Sequence, residues 1–238
     1  MAHKSGDFSN SVLNIETPKL AAMMKNLISD RKLIVASNRG ALNFSEDSSG
    51  KLVARRDTSR SSELFESLSD QSISWVTGAV GAANRSAAET QADDLGIIRN
   101  DVLPDGWNVR LISLPRRVHH KFYNVICNPL LWFLLHRSWS PTFTPNLGSQ
   151  EHDAWERGYR VVNQSFADRI SDSADGSQIA LVCRDYQLML VPGMVRKCHP
   201  DSLIHFSFET PWPWPSELEL LPIAWRSELM SSLLSADV

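Results

Sequence analysis

Cysteine is scarce in this chain: 238 residues hold only Cys127, Cys183 and Cys198. An odd, sparse set with no C-x-x-C and no Cys/His pair at ligand spacing argues against a disulfide framework and a structural metal site. Reduced thiols in a cytosolic protein are the simplest reading. Charge of one sign is also lacking. The 24 Lys+Arg against 27 Asp+Glu leave a formal charge of −3, with no general pull toward nucleic acid or anionic membrane. Arg116-Arg117 is too short a basic run to change that. No apolar run reaches membrane-spanning length. The longest is interrupted by Asn128 and Pro129 and followed by His136 and Arg137. The opening MAHKSGDFSNSVLNIE lacks the apolar core of a signal peptide. G-x-S-x-G, P-loop and HExxH signatures are missing, and His119-His120 reads as a structural pair. The expectation is a cytoplasmic protein with no metal, no cofactor, no nucleic-acid partner and no membrane partner.

What is present is an ordinary globular composition, 42% hydrophobic and 21% charged, so disorder and coiled coil are excluded. Eight Trp suggest aromatic core packing, with some left to wall a pocket. Residues 1–16 read as a polar extension. Thr17-Pro18 then starts an amphipathic helix over about 18–30. KLIVAS (32–37), 73–77, WNVRLISL (107–114), QIALVCR (178–184) and SLIHFSFE (202–209) read as strands. Between them, 40–56 reads as a polar loop or hairpin, 61–69 as a short helix, and 79–94 as a loop or weak helix. The segments 119–139, 152–171, 186–198 and 224–234 read as helices, with Ser216 as a cap after the stiff PWPWP turn at 211–215. There is no internal repeat.

Strands alternating with helices predict an α/β fold, a Rossmann-like open, mostly parallel sheet with helices on both faces. Ligands of such sheets bind beyond the carboxyl ends of the strands. Asn38 and Arg39 follow the first strand, Asp185 follows 178–184, and Glu209 ends 202–209. If those strands are parallel, Arg39, Asp185 and Glu209 face one crevice.

An ordered set of short segments then carries a resemblance. It begins with Ser37-Asn38-Arg39, Tyr123-Asn124, Asn128, Leu131-Trp132 and His136. It continues with Trp155, Tyr159 and Asn163, then Asp185-Tyr186-Gln187-Leu188 and Pro192. It ends with Thr210-Pro211-Trp212-Pro213, Glu217, Leu221-Pro222 and Leu233-Leu234-Ser235-Ala236-Asp237. From about Lys32 onward the chain resembles the N-terminal half of the trehalose-6-phosphate synthase family, retaining GT-B glycosyltransferases. The resemblance implies an acceptor-binding domain over 31–238 behind an N-terminal extension and helix over 1–30, with the donor-binding domain absent. It implies metal-free transfer of glucose from UDP-glucose to glucose 6-phosphate. Arg39 matches the arginine on the acceptor phosphate, where a planar guanidinium bonds two oxygens at once. Tyr123 and Trp132 match aromatic acceptor-pocket residues, with Asn38 beside them. Asp185 matches an aspartate that orients acceptor hydroxyls, and Glu209 stands beside the donor sugar.

The departures from the family are specific. Its Gly-Gly-Leu loop corresponds to Thr58-Ser59-Arg60, without glycine. The second tryptophan expected after Trp75 is missing. The histidine before the aspartate is Arg184, and the histidine facing the donor glucose is Glu209, which accepts hydrogen bonds but cannot donate them. The groups that hold the donor pyrophosphate lie in the half not matched, so the chain alone is expected to show no transfer. The partners expected are glucose 6-phosphate or a similar sugar phosphate, a nucleotide sugar only where a donor domain is supplied, and a split-enzyme partner or a second copy. The alternatives are a non-catalytic sugar-phosphate-binding or regulatory module, and a relative making glucosylglycerol phosphate or an aminocyclitol pseudo-disaccharide.

Overall fold

Five strands form one parallel sheet in the order β5-β4-β1-β6-β7: β1 (Lys32–Ser37), β4 (Ile73–Gly78), β5 (Asn108–Ile112), β6 (Ile179–Arg184) and β7 (Leu203–Ser207). A separate antiparallel hairpin pairs β2 (Leu42–Glu46) with β3 (Leu52–Arg56). The computed structural model describes Ala22, Lys25, Asn26, residues 28–57, Phe65, residues 72–139 and residues 147–238. Residues 1–16, the Thr17-Pro18 helix start, Thr58-Ser59-Arg60 and, apart from Phe65, the short helix at 61–69 lie outside the described residues.

The strands are apolar on both sides because helices and loops cover both faces. Ile34, Ala36, Val76, Ile179, Leu181 and Cys183 face one core, while Leu33, Val35, Ile73, Trp75, Val109 and Ala180 face the other. This is the period-two alternation of a strand buried on both faces. The first core is closed by four helices. Helix α2 runs as Arg116–His119, a π-helical stretch His120–Trp132 and Phe133–Leu135. Helix α3 runs as Ser149–Ala154, a π turn Trp155–Tyr159 and Arg160–Ala174. The other two are α4 (Val191–Cys198) and α6 (Ile223–Leu233), after the short α5 (Pro215–Leu218). The second core lies under α1 (Ala82–Thr90), the hairpin and Trp107. Pro129, which cannot donate an amide hydrogen and crowds the turn before it, sits inside the widened part of α2.

Several expectations sharpen or change. The segment 79–94 contains a helix, and 40–56 is a hairpin closed by Asp47, whose Oδ1 accepts from the amides of Ser49 and Lys51. The single helix expected over 186–198 is split. A 3-10 turn at Tyr186–Leu188 precedes α4, which has proline in its first turn. Ser216 is not a cap. Pro215 starts α5 because its fixed φ suits the first helical position, and the Trp214 amide donates to Glu217 at 2.6 Å. Of the eight Trp, Trp75, Trp107, Trp155 and Trp225 are buried, while Trp132, Trp212 and Trp214 are exposed. The last residues lie on the outer edge of β7, where the Asp237 amide donates to the Ile204 carbonyl and the Phe206 amide to the Val238 carbonyl. Among the described residues no helix is long and apolar enough to cross a membrane.

Candidate functional site

The strand order reverses at β1. From β1 the chain moves to β4 and β5 on one side, and from β6 to β7 on the other. The carboxyl ends of β1 and β6 therefore border the crevice where ligands of open α/β sheets sit. A cleft of about 310 Å³ lies there, lined by Ser37, Asn38, Arg39, Asp57, Arg184, Asp185, Gln187 and Glu209. Arg39, Asp185 and Glu209, expected on one crevice, share it with Asn38.

Each side chain is placed by a short-range device. Ser37 Oγ donates to the Arg39 carbonyl at 2.5 Å, bending the chain at the end of β1. Gly40 makes the next step, because a Cβ there would lie 2.6 Å from Thr77 Cγ2. Arg39 itself is exposed, and among the described residues its guanidinium makes no ion pair. Asp185 is anchored at both ends. Its amide donates to the Ser207 carbonyl at 2.8 Å, and its carboxylate accepts from the Tyr186 amide at 2.9 Å. Its backbone has φ 70° and ψ 162°, a region that belongs to glycine. Burial raises the Asp185 carboxyl above its ordinary value, opposed by the Tyr186 amide, Arg184, His136 and Gln187. Gln187 is buried, and its Oε1 has no partner among the described residues. An acceptor left unpaired beside a cleft is a place for a ligand hydroxyl.

Arg184 and Glu209 form an ion pair across the ends of β6 and β7. The Arg184 side chain is 10% exposed and that of Glu209 50%. Burial lowers the Arg184 pKa, opposed by the carboxylates of Asp185 and Asp57.

Tyr123 and Trp132 do not line this cleft. The half-buried Tyr123 ring stacks on His119 of its own helix at 5.7 Å. Trp132 is 42% exposed and borders a shallow surface pocket with Asn124, Asn128, Pro129 and Phe133. Its link to the cleft is Tyr186, 6.0 Å from its ring, next to Asp185. Sequence reading missed Asp57 and Gln187 and gave no function to Arg184. For Asp57 the signal was the reading of 40–56 as a loop or hairpin, and the structure completes it: the register pairs Leu42 with Arg56, and the Asp57 amide donates to the Ala41 carbonyl, returning the chain beside Arg39. Among the described residues no group of three His, Cys, Asp or Glu could hold a metal ion.

The family model described as Glycosyltransferase family 20 matches residues 31–238. A trehalose-6-phosphate synthase of Mycolicibacterium gilvum is 34% identical over 149 residues, which are 62% of this chain and 27% of that protein. The alpha,alpha-trehalose-phosphate synthase [UDP-forming] 5 of Arabidopsis thaliana is 25% identical over 97% of this chain and 25% of its own length. The chain thus spans about a quarter of the length of these relatives. A structure described as trehalose-6-phosphate from E. coli bound with UDP-2-fluoro glucose superposes with a TM-score of 0.63. It is 19% identical over 87% of this chain and 38% of that one. The N-terminal domain of Candida albicans trehalose-6-phosphate phosphatase gives 0.61 at 22% identity, over 87% of this chain and 39% of that one. At these identities the structural likeness is one of fold.

Proposed function

The chain belongs to glycosyltransferase family 20, and on that premise we propose that residues 31–238 form the acceptor-binding half of a trehalose-6-phosphate synthase-like glycosyltransferase, behind an N-terminal extension and helix over 1–30. The family reaction carries glucose from UDP-glucose to glucose 6-phosphate, and the cytoplasm is where we place it. The observation that carries this reading is the Arg39–Asp185 cleft at the switch point of the sheet, with an exposed guanidinium at one side that makes no ion pair among the described residues, and a carboxylate at the other. Arg39 takes the phosphate through its planar fork. Asp185 and the Gln187 Oε1 accept from sugar hydroxyls, and Asn38 adds a further polar group. Trp132, reached past Tyr186, offers an aromatic face to the part of a ligand that extends out of the cleft. Tyr123, half-buried on the same helix, is the other aromatic side chain assigned to the acceptor. Asp185 acts by orientation, since a fixed carboxylate holds the acceptor hydroxyl where transfer occurs. Donor binding is left to a separate domain, from a continuous, split or second chain.

Calorimetry with glucose 6-phosphate tests this. Wild type is expected to bind, and Arg39→Ala to lose affinity by about tenfold or more, as for a charge-assisted phosphate contact. No heat from wild type, or equal binding by Arg39→Ala, removes the acceptor site.

A second reading is a non-catalytic sugar-phosphate-binding module. It is favoured by the engagement of Glu209 with Arg184, at the position expected to face the donor sugar. Both readings predict no transfer by this chain alone. Disaccharide phosphate made by the purified chain from UDP-glucose and glucose 6-phosphate would exclude the module.

A further inference from the structure

Two of the positions at which the chain departs from the family pattern, Arg184 and Glu209, form an ion pair with each other. They lie on different strands, 25 residues apart by their numbers, and neither is intelligible alone. A guanidinium buried as deeply as Arg184 would be costly without a carboxylate, and the exposed side of the pair comes from Glu209. The cleft contains two cations, Arg39 and Arg184, and three anions, Asp57, Asp185 and Glu209. With the pair closed, Arg184 is neutralised. The Asp185 carboxylate then stands beside a guanidinium that is already engaged.

We infer that the Arg184–Glu209 pair is a specificity device that limits the cleft to ligands with one anionic group, held at Arg39, and rejects those with a second. The inference rests on the sugar-phosphate reading and narrows it to singly phosphorylated polyols. A second phosphate would have to displace the Glu209 carboxylate to reach Arg184, and would meet Asp185 beside it. Repulsion between like charges about 4 Å apart is worth a tenfold effect or more at an effective dielectric constant of about 20. Glu209→Gln keeps the shape and removes the charge, freeing the side of the guanidinium that Glu209 engages for an anion.

The experiment compares glucose 6-phosphate with glucose 1,6-bisphosphate by calorimetry in wild type, Glu209→Gln and the double variant Arg184→Gln/Glu209→Gln. Wild type is expected to bind the bisphosphate no more tightly than the monophosphate. In Glu209→Gln the ratio of the two affinities is expected to move about tenfold toward the bisphosphate, and in the double variant to return. An unmoved ratio overturns the inference. So does a wild type that prefers the bisphosphate tenfold, which holds even where the variant fails to fold. Should wild type bind neither sugar, the acceptor reading falls but the pair is still tested with inorganic phosphate. A larger phosphate-induced rise in melting temperature for Glu209→Gln than for wild type, absent from the double variant, supports it. Equal rises overturn it.

Discussion

Tyr159 donates its phenolic hydrogen to the carbonyl of Tyr186 at 2.6 Å, from the buried face of α3 to the turn that follows Asp185. Asn163 acts one helical turn later. Its Nδ2 donates to the Gln187 carbonyl at 3.0 Å and its Oδ1 accepts from the Leu190 amide at 3.1 Å. The carboxylate of the cleft is thus held by polar groups buried on the far side of its own loop. Burial drives the Tyr159 hydroxyl well above its ordinary pKa, so it stays a donor.

Tyr159→Phe removes one oxygen and leaves the Tyr186 carbonyl without this partner. The expected loss is about 1–3 kcal/mol, the cost of an unsatisfied buried acceptor. Asn163→Ala should cost more, since it removes three bonds, to Tyr159, Gln187 and Leu190. Urea midpoints with unchanged slopes check both. A Tyr159→Phe midpoint equal to wild type would show that the clamp adds nothing.

Asp185 should cost stability. Its backbone conformation carries a strain of about 1–3 kcal/mol in any residue but glycine. Its carboxyl is also raised in pKa, chiefly by burial. A raised acid is harder to ionise folded than unfolded, so it destabilises the protein at pH above its folded value. That cost fades as pH falls through it. Asp185→Asn is therefore expected to melt above wild type near neutrality, with the gap narrowing in mild acid. Asp185→Gly should gain further by relaxing the backbone. Both should lose glucose 6-phosphate. An Asn variant less stable than wild type near neutrality contradicts the burial argument.

The sheet was legible because KLIVAS and QIALVCR are too apolar for one-sided strands, and because strands and helices alternate. That pattern was enough to put Arg39, Asp185 and Glu209 on one crevice. The ion pair was not legible, since it joins residues distant in sequence whose pairing depends on β6–β7 register. Nor was the turn of Tyr123 onto His119, since periodicity gives a helix face but not the direction of a ring. The Ser216 cap failed because Pro215 can start a helix by itself.

Gly40→Ala tests how tightly Arg39 is placed. The new Cβ would meet Thr77 Cγ2 at 2.6 Å and Thr77 Cβ at 2.8 Å. Thr77 is buried on β4 and β-branched, so it has little room to turn away. The loop after β1 must shift and take Arg39 with it. Stability is expected to fall by about 1–3 kcal/mol, as for other overpacked sites. Affinity for glucose 6-phosphate should fall as well. A variant with wild-type melting and wild-type affinity would show the turn to be loose.

Gly158→Ala should have the opposite sign from the usual helix substitution. In an exposed helix interior, alanine is better than glycine by about 1 kcal/mol. Here the added Cβ would lie 2.6 Å from Lys121 Cβ, 2.7 Å from the Phe122 nitrogen and 2.9 Å from the Lys121 carbonyl carbon. Two of those atoms are backbone, so no rotamer change relieves the contact. The π-helical parts of α2 and α3 touch at this glycine, and separating them opens the core around Phe122 and Tyr159, whose rings stack at 6.0 Å. The expected result is a loss larger than the propensity gain, about 2 kcal/mol or more net. It should be visible as a lower urea midpoint and weaker near-ultraviolet dichroism from the buried aromatic cluster. A midpoint raised by the alanine would mean that helix propensity wins and that the two helices are free to move apart.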